Sequence, residues 1–575
     1  MNASKKSIND IFNGQRLIHI PFFQRAYVWD TPQWERLVDD MESISNSSKP
    51  YFLGSVILKQ IPTNTSDEVG DKRMVIDGQQ RLTTLNIFFK VLCLKNGQNQ
   101  FFDKMFRLML NNKIALSHNH NDIESFEKIM NLESLLDLPE NKGDNIIEAY
   151  RYFYQHIEVD KLNFNKILVN VVFVGIDLDN DEDEQEIFDT INSLGVKLTT
   201  AELLKNYFFS TKDDIEKYKI YWQSLFEKDD DTKNYWDIEI LTGRYRRTFI
   251  DLFFYSYLQI KVQEKDLNVS SEDKLRYSKV EHLFDSYKDF IKNYLGSDKN
   301  IVLKEIKQYA ETFMNNFDLE IIKSDLSENY GMDRINAIIF GLENSTLIPY
   351  VLYLLQNIKE VAKLNELFQC LESYIMRRMV VRANNKNYNQ LFTDRLISNS
   401  ILSKQEFIDF ISQRDDKVNY MPSNEEVVKG FNESYLVNSQ ARGILYLIES
   451  KVRNRQLQST NLKGISEYSL EHIMPKKWEN HWGKLSDKEA KQNRDRKLLT
   501  LGNLTIIPQA LNSAVRDSKW ETKKKGAKGH EGLIKYSSGI ETFQKYLHFD
   551  IWNENGIQER ANELSGLALK VWDIN

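Results

Sequence analysis

The segment Glu471-His472-Ile473-Met474-Pro475 sets an acid beside a histidine with a proline three residues on, and Gly502-Asn503-Leu504-Thr505 and Leu511-Asn512-Ser513 follow it in order. Hydrolysis of a phosphodiester needs a deprotonated water, a cation to offset charge building on the phosphate oxygens, and support for the departing alkoxide. One divalent metal and one imidazole supply all three. His472 is then the general base, because its ordinary pKa lies near neutrality. Glu471 and Asn512 are oxygen ligands for a hard cation such as Mg2+, which keeps several waters and accepts few protein ligands. Asn503 is the residue expected to orient the imidazole. Alone, a His-x-x-Pro is a turn and a Gly-Asn a hairpin signal. The three together and in order point to metal-dependent cleavage of nucleic acid.

These residues need a strand carrying Glu471 and His472, a second strand over 504–507 and a helix from about 512 to 524. That order resembles the ββα-metal fold of HNH nucleases, in the variant with E/D-H-x-x-P, then G-N-L-T, then a further Asn. In that family a lysine follows the last asparagine, which implies a catalytic role for Lys523 in Trp520-Glu521-Thr522-Lys523-Lys524-Lys525. Charge follows the motif: residues 451–530 hold 18 Lys or Arg against 8 Asp or Glu, which leaves the remaining residues near −17 in a chain of net −7. A positive face of this kind suits phosphate binding, and Lys476, Lys477, Arg494, Arg496, Lys497 and Lys524 are its expected DNA contacts.

A second constellation opens the chain. Ile20-Pro21-Phe22-Phe23-Gln24-Arg25-Ala26-Tyr27-Val28-Trp29 precedes Thr31-Pro32, where a helix begins with Pro in its first turn. Residues 51–58 and 74–76 read as strands, and the second runs into Asp77-Gly78-Gln79-Gln80-Arg81 and an apolar helix over 82–94. Glycine lets the backbone approach a ligand, the helix start offers amides, and Arg81, Thr83 and Thr84 lie in the first turns, which together make a candidate anion cradle. An Asp-Gly at a strand end is otherwise a turn.

P-x-F-Q-R-x-Y-x-W at 21–29, D-G-Q-Q-R-L-T-T-L at 77–85 and F-x-x-I-N-S-x-G-x-x-L at 188–198 are similar, in order, to the N-terminal domain of the GmrSD-like type IV restriction family, whose nuclease domain is of the HNH variant above. The resemblance implies a ParB/sulfiredoxin-like α+β domain that binds and hydrolyses nucleoside triphosphates. By position it implies Asp77, Gly78, Gln79, Gln80 and Arg81 in the nucleotide pocket, Gln24 and Arg25 nearby, Thr83 and Thr84 on phosphate or its metal, and the block with Asn192 and Gly195 closing one wall. Nothing in the motifs distinguishes GTP, UTP, CTP or ATP.

Composition sets the frame. At 575 residues the chain is too long for one core; the expected domains are 1–210 (nucleotide-binding), 211–455 (helical) and 456–575 (nuclease), a mixed α/β and mostly α fold. A hydrophobic content of 41%, 28% charged residues and 9 prolines describe a helix-rich globular protein. No run of about eighteen apolar residues and no signal-peptide pattern occur, so a cytoplasmic protein without membrane contact is expected. Cys93 and Cys370 sit in apolar helical patterns and read as buried thiols. The chain contains no G-x-x-x-x-G-K-S/T, no H-E-x-x-H and no G-x-S-x-G, which disfavours P-loop, zinc-protease and esterase chemistry.

In the middle, 166–174 reads as a buried strand, 177–186 as a solvated acidic run, Thr199-Thr200-Ala201-Glu202 as a capping box, and the region to about 455 as packed helices. Arg244-Tyr245-Arg246-Arg247, and Arg377-Arg378 with Arg382, could grip a phosphate backbone, though helix-surface charges or internal ion pairs are the simpler account. Residues 451–463 form a basic connector. The expectation is an NTP-dependent or NTP-regulated DNA endonuclease of bacterial defence acting on foreign phage DNA with modified bases or backbone. The alternatives are a nucleotide-dependent DNA sensor with an inactive nuclease site, or a toxin-like metal-dependent RNase. A homodimer would let one nuclease site per chain cut both strands.

Overall fold

The structure is a computed structural model that describes residues 2–21, 24, 26–47, 49–63, 71–119, 122–136, 138–179, 200–209, 214–243, 245–412, 418–456, 461–483, 485–508, 518–527, 530–537 and 539–574. It is mixed α/β and mostly helical. The chain divides into two compact units, 1–219 and 220–575. Residues 214–219 fall in the first unit, and the helical and nuclease segments expected to divide near 455 lie together in the second.

The first unit is built on a six-stranded mixed sheet. Its strands are β1 (Asn2–Ser7), β2 (Arg16–His19), β3 (Tyr51–Gln60), β4 (Asp71–Asp77), β5 (Leu116–Ser117) and β6 (Val171–Leu178), in the order β1-β6-β3-β4-β2-β5. β3 lies parallel to β6 and antiparallel to β4, so the two central strands deliver Ser55 and Asp77 toward one end of the sheet. The Gln79–Lys95 helix follows β4 at once and is buried on almost every face, with Leu82, Leu85, Phe88 and Phe89 fully covered. Where a strand was expected over 166–174, the chain makes the Phe164–Asn170 helix and then β6, because the Asn163 side chain accepts the Lys166 amide (3.1 Å) and caps a first turn there. Cys93 and Cys370 are buried free thiols. No helix among the described residues is long and apolar enough to cross a membrane.

In the second unit Trp222, Trp236, Phe226, Phe253 and Phe254 pack ring against ring around the Phe249–Lys261 helix. A hairpin of β7 (Glu239–Thr242) and β8 (Tyr245–Thr248) holds Arg246 and Arg247, so these arginines are on a β-ribbon and not on a helix surface; Arg244 lies outside the described residues. Arg377 and Arg378 are buried and spent on carbonyls. Arg377 donates to Trp572 O (2.7 Å) and Pro422 O (3.0 Å), and Arg378 to Tyr420 O (2.8 Å), Asn384 O (2.6 Å) and Val418 O (2.6 Å). They splice loops and offer nothing to a phosphate. Arg334 and Glu372 form a bidentate pair (2.7 and 2.6 Å) with almost no exposure, closed by the Trp572 indole N–H (3.1 Å).

The C-terminal part of this unit holds a second hairpin, β9 (Tyr468–His472) with β10 (Leu504–Pro508), then the Trp520–Lys525 helix, a short β11 (Gly526–Ala527) and β12 (His530–Glu531) pair, and the long Glu554–Val571 helix. It is fastened to the preceding Asn438–Val452 helix by Glu449, which is fully buried and accepts the Glu541 and Thr542 amides (2.8 and 2.9 Å). The arginines of the basic connector are fastened too: Arg453 to Glu449 (3.4 Å), and Arg455 to Asp325 (2.7 Å). Breaking a buried pair leaves an uncompensated charge. Arg334→Ala is therefore expected to lower the unfolding free energy by about 3–5 kcal/mol in denaturant titration, whereas Arg334→Met with Glu372→Leu recovers most of the loss; a single-variant cost below about 1 kcal/mol would contradict the role given to this pair.

Candidate active site

β9 presents Glu471 and His472 because it pairs antiparallel with β10, Leu504 opposite His472 and Thr505 opposite Glu471. Consecutive strand residues face opposite ways. Glu471 turns toward the Trp520–Lys525 helix and is only 6% exposed, while His472 closes the strand and is half-buried. Lys523, 1% exposed, forms an ion pair with Glu471 Oε1 and donates to the His472 carbonyl (2.7 Å). One ammonium thus holds both the acid and the backbone of the histidine.

The His472 imidazole is pushed down to about 4, first by burial and then by the positive charges of Lys476 and Lys523. At neutral pH it is uncharged and keeps a ring lone pair, the state a proton acceptor requires. Directly across the ribbon from Glu471, and so on the same face, Thr505 Oγ1 is buried and has no hydrogen-bond partner among the described residues. A magnesium ion needs one or two protein carboxylates and keeps water for its other positions. Glu471, with the Thr505 hydroxyl across the ribbon, meets that minimum, and a cation there competes with the Lys523 ammonium for the carboxylate. No cluster of three or more His, Cys, Asp or Glu side chains suited to a metal occurs among the described residues. Asn512 lies outside the described residues.

Asn503 does not orient the imidazole. Its Oδ1 accepts the Met474 amide (2.9 Å) and the Trp552 indole N–H (3.0 Å), and its Nδ2 donates to Met474 O (2.8 Å) and Leu498 O (3.0 Å). Two donors and two lone pairs are all used, so the amide fixes the turn that leaves His472. Arg560, which the sequence motifs did not reveal, does the same on the other strand: fully buried, it donates to Leu501 O (3.2 Å), Gly502 O (3.0 Å) and Leu504 O (2.6 Å). Gly502 is required here because an added Cβ would stand 2.2 Å from Ile557 O.

The expected DNA contacts divide. Lys476, Lys477 and Arg496 are exposed. Lys497 is half-buried and donates to Gln558. Arg494 is buried, paired with Glu554 (2.5 Å) and stacked over Trp478 (4.6 Å). Lys524 is buried, donating to Phe549 O (2.9 Å) over the Trp520 ring. Arg494 and Lys524 are internal braces, since tryptophan faces cover their stems and fixed acceptors take their heads.

In the first unit the two N-terminal motifs are mates. Gln80 Oε1 accepts the Val28 amide (2.9 Å) and its Nε2 donates to Ala26 O (3.3 Å), which holds residues 26–28 on the helix. Thr84 and Thr83 are fully buried and contact no open cradle. The Thr84 hydroxyl donates to Gln80 O (2.7 Å) and accepts from Tyr27 (2.6 Å), which itself accepts the Trp34 indole N–H (2.8 Å); Thr83 meets His118 Nε2 (2.8 Å). The expected phosphate contact through either threonine is thereby overturned. Arg81 turns back to Ser55 O (2.8 Å) and Asp77 (2.9 Å), and Asp77 also accepts from the Ser55 hydroxyl (2.6 Å). Gly78 starts the helix at φ +101°, a conformation that favours glycine, with Val56 Cγ2 only 3.0 Å from any added Cβ.

Gln79 is buried, and the Gln24 carbonyl accepts from Asn119 (3.2 Å). Arg25 and the 188–198 block with Asn192 and Gly195 lie outside the described residues. Asp122 and His118 were not foreseen; a run of Asn, His and Asp at 118–122 was the available signal. Asp122 accepts the Tyr27 amide (2.8 Å), and burial raises its carboxyl to about 6 and pushes the His118 imidazole down to about 3. Among known proteins, residues 8–209 match the family model described as GmrSD restriction endonuclease, N-terminal domain, and residues 422–567 the one described as GmrSD restriction endonucleases, C-terminal domain. No curated protein matches the chain.

Asn503→Ala strips four hydrogen bonds and leaves the Trp552 indole and the Met474 amide buried without partners. At about 1–3 kcal/mol for each orphaned group, it is expected to lower the denaturation midpoint clearly, while Lys476→Ala shifts it by less than about 0.5 kcal/mol; equal midpoints for the two variants would remove Asn503 from the role of turn anchor.

Proposed function

The chain belongs to the GmrSD restriction endonuclease family, and from that premise we propose that it is a nucleotide-regulated, metal-dependent DNA endonuclease whose HNH-type site is built on Glu471, His472 and Lys523. DNA as substrate and a place in type IV restriction follow from the family. The single observation that carries the rest is the β9–β10 hairpin, which places a buried carboxylate and an uncharged histidine at consecutive positions at the end of β9.

Glu471, with Thr505 beside it and Asn512 as the expected third donor, would hold a magnesium-like ion. That ion, when bound, supplies charge for the phosphate oxygens and acidifies a water. His472 accepts the proton of the attacking water, and its lowered pKa keeps it ready to do so at neutral pH. Lys523 holds the Glu471 carboxylate and the His472 carbonyl in fixed relation, so that base and ligand do not drift apart. Lys476, Lys477 and Arg496 offer exposed charge to the DNA backbone.

On this reading the six-stranded sheet is the ParB/sulfiredoxin-like domain. A nucleoside triphosphate lies at the start of the Gln79–Lys95 helix, where the helix dipole favours an anion and Arg81 reaches phosphate by leaving its pair with Asp77. Asp77, Gly78, Gln79, Gln80 and Gln24 shape that end of the sheet. The target is foreign DNA with modified bases or backbone, met in the cytoplasm. A second reading, a nucleotide-dependent DNA sensor with an inactive cleavage site, is favoured by one observation: Lys523 already satisfies Glu471.

Plasmid nicking separates the two readings when run on unmodified and modified DNA, with and without triphosphate and magnesium. Wild type is expected to nick, His472→Ala to lose nicking by at least about a hundredfold while keeping nucleotide hydrolysis, and Arg81→Ala to lose hydrolysis and change the nucleotide response. Equal nicking by all three proteins would reject the site assignment, and triphosphate-dependent DNA binding without nicking in wild type would favour the sensor.

A further inference from the structure

A cleft of about 500 Å3 opens in the second unit among residues to which no role has been given. Its volume lies within the range of small-molecule sites, about 300–1,000 Å3. It forms where the Met332–Gly341 and Val361–Val380 helices end against the start of the Asn438–Val452 helix.

The two helices end in the same way. The Asn344 amide reaches back to Ile339 O (2.9 Å) and the Ala383 amide to Arg378 O (2.9 Å), and in each turn the preceding residue takes a left-handed conformation, Glu343 at φ 57° and Arg382 at φ 57°. Glycine is the usual occupant of that position, because a side chain there costs stability. Here both positions carry charged side chains, of opposite sign, and both line the cleft. The Arg382 guanidinium has no ion-pair partner among the described residues. Beside it Tyr435 keeps 51% of its surface exposed, an aromatic face with nothing stacked on it among the described residues.

The lining carries one cation and one anion, and Glu343 also feels the charge of Arg442. A phosphate would meet Glu343, and a metal would find a single carboxylate beside an arginine. The chemistry of the lining suits a flat heterocycle. Arginine forks onto paired ring acceptors, carboxylate accepts from ring and exocyclic N–H groups, and tyrosine stacks on the ring face. We propose that this cleft binds a nucleobase, held by Tyr435 stacking and read on its edge by Arg382 and Glu343. The base comes either from a nucleotide extruded from DNA, which rests on the nuclease reading above, or from a free nucleoside. The cleft is also tied to β9: Arg442 of the Asn438–Val452 helix donates to Tyr468 O (3.3 Å), where the strand with Glu471 and His472 begins.

The test uses the full chain with His472→Ala, so that no readout depends on cleavage. Deoxynucleosides are titrated by calorimetry, and a duplex with 2-aminopurine opposite an abasic site is followed by fluorescence. Binding of at least one probe is expected, and Arg382→Gly and Tyr435→Ala should each weaken it by about tenfold or more. Arg382→Gly should at the same time melt higher than its parent, since glycine relieves the left-handed turn; a merely structural arginine would not lower binding while raising stability. Response of the duplex alone identifies an extruded base, and response of nucleosides identifies a free one. Absence of binding by both probes, or affinities unchanged in both variants, would overturn the proposal.

Discussion

A fully buried amide, that of Asn503, governs the geometry at the C-terminal hairpin. Its four hydrogen bonds tie the start of β10 to the turn leaving β9, to the end of the preceding helix and to Trp552. The residues that could do chemistry sit on the strand end which that turn follows. In a buried setting a polar group with all its partners specifies one arrangement, because every alternative leaves a donor or acceptor without a partner. Arg560 imposes the same condition from the opposite side by filling three carbonyls of the turn before β10. The hairpin is therefore short but held from two sides at the end that carries His472.

Charge in this region works inward as much as outward. The excess of lysine and arginine over 451–530 suggests a DNA-binding face, yet Arg453, Arg494 and Lys524 are buried braces, and Lys523 serves the acid beside the catalytic candidate. Each is covered by an aromatic ring or held by a carbonyl or carboxylate, which offsets part of the cost of taking its charge out of water. What remains exposed is narrower than the sequence suggests: Lys476, Lys477 and Arg496 among the six expected contacts.

Much of the architecture is legible in the residues themselves. Apolar residues over 51–58, an Asp-Gly at a strand end and apolar spacing of three and four from Phe249 onward correspond to β3, the β4-to-helix junction and the Phe249–Lys261 helix. What escapes is decided by partners distant in sequence. Thr83 and Thr84 sit where a phosphate cradle would want hydroxyls, but Tyr27 and His118 arrive from elsewhere and take them. Asn503 carries no mark that its amide faces a turn and an indole. The run at 166–174 is apolar enough for either helix or strand, and the Asn163 cap decides between them. The pairing of Gln80 with residues 26–28 explains why two separate motifs occur in one chain, a relation no spacing rule contains.

The central claim is that Glu471 and its surroundings hold a divalent cation beside His472. Manganese binding followed by electron paramagnetic resonance tests it without depending on cleavage, by titrating wild type and Glu471→Gln with Mn2+. One ion is expected to bind wild type and to be lost, or weakened by at least about tenfold, in Glu471→Gln. Equal manganese affinity in the two proteins would contradict the claim and leave the Lys523–Glu471 pair as a brace alone.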